Sequence, residues 1–216
     1  MDFEDWDVYY RQILKDFGYS REEDERSARI LDASLAGTRV EPDSLRPLFA
    51  GKDVTIAGNA PSLAAELAVV EHPLVAADEA TSVLRNAGIR PDVIVTDLDG
   101  DVEEQVAANA EGAIVVVHAH GDNVAAVERW APQFRGRVIG TTQSRPFGRV
   151  YNFGGFTDGD RAGFLADHLG ATSLLLVGFD FENPSPKDAD RETKKRKLDW
   201  AYILLGTLDE SRYPNG

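Results

Sequence analysis

The chain of 216 residues contains no cysteine, one methionine and only six lysines beside 17 arginines. Without cysteine, disulfide frameworks, thiolate metal sites and cysteine nucleophiles are excluded. Positive charge is scarce: 23 basic residues face 37 acidic ones, a net charge of −14. Such a surface repels nucleic acid and anionic membrane, and neither is expected as a partner. No apolar run approaches the ~20 residues of a membrane span. The start, Met1-Asp2-Phe3-Glu4-Asp5, is acidic where a signal peptide is basic, so a soluble, cytoplasmic protein is expected. An acidic, lysine-poor surface suits a protein kept soluble in concentrated salt, and equally an ordinary acidic enzyme.

Three regions follow from the patterning. Residues 1–50 read as a helical cap, with Trp6, Tyr9, Ile13 and Phe17 on one face and a second helix through Ala28, Ile30 and Leu31 that ends near Gly37. Residues 51–182 alternate short apolar runs with amphipathic segments. Strands are expected at 54–57, 74–77, 93–96, 113–117, 138–140 and 173–177, with helices between them at 62–70, 79–87, 102–110, 124–130 and 158–168. This order implies an α/β fold, a mostly parallel sheet with helices on both faces, and ligands at the carboxyl ends of its strands. Residues 183–216 open on the break Asn183-Pro184-Ser185-Pro186. A basic stretch with Lys187, Lys194, Lys195, Arg196 and Lys197 follows, then an apolar-faced helix over 198–208 that packs on the sheet domain. Four of the six lysines lie in that stretch, a concentration that calls for an anion; a solvated helix face is the plainer reading. Trp6, Tyr9, Trp200 and Tyr202 are expected in the core, with His72 and His168 as bystanders.

Each polar cluster follows an expected strand, so all can gather on one sheet edge. Gly58-Asn59-Ala60-Pro61-Ser62-Leu63 combines a glycine turn with a helix start, either an anion site or a loop capped by Ser62. In Thr96-Asp97-Leu98-Asp99-Gly100 two carboxylates flank one apolar residue where a buried strand ends, and a cation such as Mg²⁺ would neutralise them. His118-Ala119-His120-Gly121-Asp122-Asn123 could ligate a transition metal. It could equally contact phosphate or substrate, with Asp122 joining Mg²⁺. Thr141-Thr142-Gln143 offers hydroxyl and amide groups for a heterocycle. Asn152-Phe153-Gly154-Gly155-Phe156-Thr157-Asp158-Gly159-Asp160-Arg161 joins paired glycines, a helix cap and a charged pair.

Two resemblances rest on these strings. Ala76-Ala77-Asp78-Glu79, Gly88-Ile89-Arg90-Pro91-Asp92, Asp97-Leu98-Asp99-Gly100 and Thr157-Asp158-Gly159-Asp160-Arg161-Ala162 resemble, in order, motifs of the thiamin pyrophosphokinases. Gly100 departs from that pattern's serine and Arg161 from its lysine. The segments 58–63, 118–123, 140–143 and 152–162 are more specifically similar to the archaeal 6-hydroxymethyl-7,8-dihydropterin pyrophosphokinases, over about residues 53–205.

The second resemblance implies ATP as co-substrate, Mg²⁺, and diphosphate transfer to a pterin hydroxymethyl group for folate- or methanopterin-type cofactor synthesis. It implies Asp97 and Asp99 as metal ligands, with Asp122 and Asp158 as further catalytic ligands or orienters of the attacking hydroxyl. Substrate and ATP contacts are expected from Gly58, Asn59, Ser62, Asp78, His118, His120, Asn123, Thr142, Gln143, Asn152, Asp160, Arg161, Lys194 and Lys197. A homodimer is compatible with this reading. Three alternatives stand beside it. One is thiamin as acceptor. Another is a sugar-nucleotide glycosyltransferase, because the 58–63 loop resembles that of some sialyltransferases. The last is a nucleotide-binding protein without catalysis.

Overall fold

The structure, a computed structural model, describes residues 1–208 except 36, 38, 186 and 187. Pro186, Lys187 and the last eight positions of the expected C-terminal segment, 209–216, lie outside the described residues.

Two helices come first. α1 (Phe3–Phe17) begins at Asp2, whose side chain accepts the Asp5 N–H, and stops at Gly18 in the left-handed region at φ 69°. α2 (Arg21–Ser34) is capped by Ser20. A single turn, α3 (Arg46–Phe49), leads into the alternating part of the chain. That part runs β1 (Asp53–Ala57), α4 (Leu63–Glu66), β2 (Leu74–Ala77), α5 (Ala80–Asn86), β3 (Val93–Thr96), α6 (Val102–Ala110), β4 (Ile114–Ala119), α7 (Val124–Trp130), β5 (Val138–Thr142), β6 (Val150–Tyr151), α8 (Asp158–His168), β7 (Ser173–Val177) and α9 (Arg191–Leu205).

Among the described residues seven strands form one sheet, all parallel, in the order β6-β5-β4-β3-β2-β1-β7. The chain steps outward from β1 to β6, and α8 then carries it back to the far side of β1. Right-handed crossovers put outward and returning connections on opposite faces. The two cores show this. Val54, Ile56, Val75, Val95 and Val116 pack with α1, α8 and α9. Their strand neighbours Ala57, Leu74, Ala76, Ile94 and Val115 pack with α2 and the outward crossover helices. Strands buried on both faces explain the unbroken apolar runs.

The N-terminal helices share these cores, α1 on one face and α2 on the other. Their hairpin straddles the sheet, and the turn Gly18-Tyr19-Ser20 sits beside the loops that follow β4 and β5. Among the described residues no helix is long and apolar enough to cross a membrane.

Several expectations need correction. The buried stripe of α1 is Phe3, Trp6, Tyr10 and Ile13; Tyr9 and Phe17 only pack at its edge, one helical position round from the stripe. Tyr202 is exposed and Trp200 half-buried, because α9 turns Ala201 and Leu204 inward instead. α9 also starts at Arg191, so Lys194, Lys195, Arg196 and Lys197 of the basic stretch are helical. The expected helix over 62–70 is one α-turn followed by a 3₁₀ turn, Leu67–Val69. β6 is too short to show a period in sequence.

Candidate active site

The carboxyl ends of the strands hold a cluster of carboxylates. Ligand oxygens of Asp78, Asp97 and Asp158 lie within 4.8 Å of one another. They arrive from the ends of β2 and β3 and from the first residue of α8. Asp99 stands beside the set, close enough for the charges of Asp97 and Asp78 to act on its carboxyl.

Local backbone geometry aims these groups. Leu98 takes φ 70° and Asp78 φ 43°, left-handed conformations that cost a non-glycine residue roughly 1 kcal/mol or more. Thr96 holds the turn: its hydroxyl accepts the Leu98 N–H at 2.9 Å and donates to Asp78 Oδ1 at 2.7 Å. Gln105 Nε2, from α6, donates to the same oxygen at 2.8 Å. The Leu98 side chain is 3% exposed, so its burial helps to offset the strain and leaves the flanking aspartates at the surface of the core.

Gly100 also has a structural reason. A Cβ there would stand 2.1 Å from Asp78 Oδ2 and 2.8 Å from Glu79 Cγ, so the serine of the thiamin enzyme pattern would displace the Asp78 carboxylate. Gly100→Ala should therefore move Asp78 out of the set and lower kcat by about 10- to 100-fold, the scale of a 1 Å misplacement, with little change in Tm. Steady-state kinetics beside a thermal melt check this.

The electrostatics are those of crowded carboxylates. Burial alone would raise Asp97, but the hydrogen bond from His120 and the charge of Arg161 outweigh it and hold the group below the usual range. Burial and then the Asp97 charge push Asp158 well up. Burial and the charges of Asp97 and Asp78 push Asp99 up to about 8. Asp97 Oδ1 is buried without a hydrogen-bond partner. An all-oxygen donor set with an orphaned carboxylate oxygen fits a hard divalent cation such as Mg²⁺.

A pH dependence follows. The folded-state value of Asp99 lies above its unfolded value, so its stabilising contribution is complete below about pH 4 and is lost as pH rises through about 8. Melts in chelator should show Tm falling from pH 5 to 8, and Mg²⁺ should flatten the fall. A chelated protein that gains stability over this range would contradict the assignment.

Around the carboxylates the neighbours are ordered. His120 Nδ1 accepts the Asp122 N–H at 3.3 Å, which leaves Nε2 to face Asp97 Oδ2 at 3.3 Å. Asn123 donates to the carbonyls of Asp97 and His118, at 2.7 and 2.8 Å, and accepts from the His120 N–H and the Ser27 hydroxyl. Its amide is fully used in fixing this edge.

Thr141 Oγ1 donates to the Val117 carbonyl and so accepts from His118 Nδ1 at 3.1 Å, which leaves Nε2 of that imidazole as a bare acceptor. Burial, then the nearby Arg161 and His120, press His118 well below the usual range, so the ring is neutral at pH 7. His118 Nε2 and Arg161 Nε both lack partners and line one hollow of about 10 Å³. Arg161 Nη1 donates to Asp158 at 3.1 Å and Nη2 to Gln143 Oε1 at 3.4 Å. Its guanidinium is the counter-charge within the acidic set.

Some expected contacts turn out to hold the loops. Asp160 is wholly buried and accepts from the Phe156 and Thr157 N–H groups and the Thr157 hydroxyl, so its role is capping rather than ligand contact. Asn152 ties Ser144 to Gly154, and Thr142 Oγ1 accepts the Ser144 N–H. Gly58 is required by the Gly178 carbonyl, 2.6 Å from where a Cβ would lie. Ser62 makes no side-chain cap, and its hydroxyl is buried without a partner. Asn59 donates to Glu79 Oε2 at 2.5 Å beside Asp78. Asp122 is exposed and stands outside the three-carboxylate group, facing a separate cavity with the N-terminal hairpin.

The basic stretch divides. Lys194 lies 3.9 Å from Asp188, Lys195 pairs with Asp199, and Arg196 stacks on Phe17. Lys197 Nζ stands 6.0 Å from the rings of Tyr19 and Phe156, next to the loop that leads into Asp158.

Asp24, Thr96 and Gln105 escaped the sequence reading. Asp24, from α2, is 2% exposed; its carboxylate accepts from Tyr10 Oη, Gln143 Nε2 and the Gly121 N–H at 2.5, 2.9 and 2.7 Å. One carboxylate thus fastens the hairpin to the ends of β4 and β5. No spacing signal marks an aspartate in a helix as charged as α2, whereas a threonine beside paired aspartates at a strand end could have been noticed.

Another cavity, about 560 Å³, opens at the amino ends of the strands beside Lys52, His72, Asp92 and Arg137. Much of its charge is paired, Arg85 with Glu104 and Glu111 and His72 with Asp92. Ligands of parallel sheets bind at the other edge, where the carboxylates are.

Comparison with known proteins gives the same family from several sides. Archaeal proteins named 6-hydroxymethyl-7,8-dihydropterin pyrophosphokinase are similar over nearly their whole length. That of Methanothermobacter thermautotrophicus is 42% identical, over 98% of this chain and 97% of its own. That of Pyrococcus furiosus is 41% identical, over 96% and 94%. That of Methanocaldococcus jannaschii is 36% identical, over 97% of each. Among solved structures, the MAf glycosyltransferase of Magnetospirillum magneticum AMB-1 superposes with a TM-score of 0.49 at 18% identity, over 82% of this chain and 35% of that one. The family described as 6-hydroxymethylpterin diphosphokinase MptE-like matches residues 34–185, and the chain belongs to it.

Proposed function

We propose that the protein transfers diphosphate from ATP to the hydroxymethyl group of 6-hydroxymethyl-7,8-dihydropterin, with Mg²⁺ held by Asp78, Asp97 and Asp158 and with Asp99 beside them. The observation that carries this reading is the convergence of those carboxylates on the carboxyl edge of the sheet, in a chain of this family. The substrate hydroxyl gives up its proton to solvent as its oxygen bonds to the β-phosphorus, the bond from that phosphorus to the oxygen shared with the α-phosphate breaks, and AMP leaves. A bound Mg²⁺ supplies charge neutralisation and a template for the phosphate oxygens.

The protein's own groups position the reactants. Thr96 and Gln105 orient Asp78, and His120 and Asn123 fix the turn that carries Asp97. Arg161 balances Asp158, and Lys197 is the cation of α9 best placed to meet phosphate. A cytoplasmic setting, where ATP and reduced pterins occur together, accompanies this reading.

Incubation with ATP, Mg²⁺ and the reduced hydroxymethylpterin should yield AMP and the pterin diphosphate in equal amounts, and thiamin in place of the pterin should yield neither. AMP formation with thiamin alone would move the acceptor. A folded protein that binds ATP but forms no AMP at low or high salt would refute the catalytic reading.

A further inference from the structure

A cavity of about 340 Å³ lies between the N-terminal hairpin and the loops after β4 and β5, lined by Tyr19, Ser20, Glu23, Asp24, His120 and Asp122 among others. Part of its wall, residues 18–24, precedes the segment 34–185 that the family description matches. Among the described residues three carboxylates line it and no lysine or arginine does. A triphosphate would meet net repulsion there, whereas a neutral ring with N–H donors would meet acceptors.

The acceptors differ in availability. The Asp24 carboxylate is saturated by Tyr10, Gln143 and Gly121. Asp122 has no ion pair or side-chain hydrogen bond among the described residues, its own backbone N–H being given to His120. Among the described residues the Glu23 carboxylate is engaged by the exposed Arg26 alone, at 3.2 Å. Gly121 lets Glu23 close in, since a Cβ at 121 would stand 2.8 Å from Glu23 Cβ. His120 connects the two places, lining the cavity while its Nε2 faces Asp97.

We propose that this cavity takes the heterocycle of the acceptor, with Asp122 and Glu23 accepting from its amino-pyrimidinone edge and His120 standing between the ring and the cation centre. The inference rests on the pterin reading above. A pterin carries a 2-amino group and ring N–H donors along one edge, the pattern a pair of carboxylates reads, and its volume suits a cavity at the lower end of the usual ~300–1,000 Å³ range. Asp122, expected from the sequence as a metal ligand, thereby becomes a specificity-determining residue.

The test is equilibrium binding, by fluorescence titration without ATP, of 6-hydroxymethylpterin and of the 2-oxo analogue 6-hydroxymethyllumazine. Wild type should prefer the pterin by at least about tenfold, since an oxo group in place of the amino group turns a donor on that edge into an acceptor facing a carboxylate. Asp122→Asn should weaken pterin binding about tenfold and erase the preference. Asp122→Glu should restore part of it, and Glu23→Gln should act in the same direction more weakly. ATP affinity, measured in parallel, should stay within twofold in all variants. Unchanged pterin binding in both variants, or a loss confined to ATP, would overturn the subsite while leaving the pterin reading intact. Wild-type protein that binds ATP but no pterin would overturn both. Both exposed positions should leave Tm unaltered, which a melt of each variant verifies.

Discussion

Asp97→Asn should lower kcat by about 10³-fold or more, equivalent to roughly 4 kcal/mol of transition-state stabilisation, while the protein stays folded. Asp97 is the member of the carboxylate set whose charge the site favours, through His120 and Arg161. Its Oδ1 is buried without a hydrogen-bond partner among the described residues. The amide keeps the shape of the turn, including the Asn123 bond to the backbone carbonyl of residue 97. It removes a ligand charge and also a source of repulsion for Asp99 and Asp158. In chelator the variant should therefore melt no lower than the parent, and its Mg²⁺-induced rise in Tm should largely vanish. Calorimetric melts with and without Mg²⁺, beside turnover, measure both effects. Retained turnover would put the cation elsewhere.

Trp6→Ala should destabilise the protein by about 3–5 kcal/mol, the cost of deleting a buried tryptophan side chain. For a chain of this length that is a fall in Tm of roughly 6–20 °C. Trp6 is fully buried in the core beneath one sheet face, stacks on Tyr10 at 6.1 Å, and donates Nε1–H to the Gln143 carbonyl at 2.7 Å. Two losses combine there, an apolar volume and a hydrogen bond. The bond reaches the loop that presents Gln143 to Arg161 and Asp24, so activity should fall as well, even at temperatures where the variant is folded. Trp6→Phe keeps most of the volume and should recover much of the stability but less of the activity. Equal recovery of both would mean that the indole N–H matters little to the site.

These two positions differ in how far the sequence reveals them. The parallel sheet was legible because its strands are buried on both faces and read as unbroken apolar runs, and each cluster of polar residues followed such a run. Asp97 and Asp99 were legible for the same reason, as carboxylates where a buried strand ends. Asp78 could be placed on the sheet edge as a substrate contact, but its union with Asp97 and Asp158 depends on left-handed backbone at 78 and 98 and on the absence of a side chain at 100. None of these has a one-residue signature. Asp160 looked like a ligand because it adjoins Arg161, whereas helix capping consumes both its oxygens. Asp24 was hidden because a charged helix offers many aspartates, and only the fold brings that one against Gly121 and Gln143. In α1 the shift from Tyr9 to Tyr10 reflects a choice between adjacent helical stripes, which packing against the sheet decides.

The central claim is that the carboxylate centre serves transfer of a diphosphate to a pterin. ATP labelled at the β-phosphorus, incubated with Mg²⁺ and the reduced hydroxymethylpterin, tests it most directly. The label should appear in the pterin product in a one-to-one ratio with AMP, and Asp97→Asn should leave it in ATP. Label retained in ADP with only the γ-phosphate transferred, or left in ATP by the folded wild-type protein, would contradict the account.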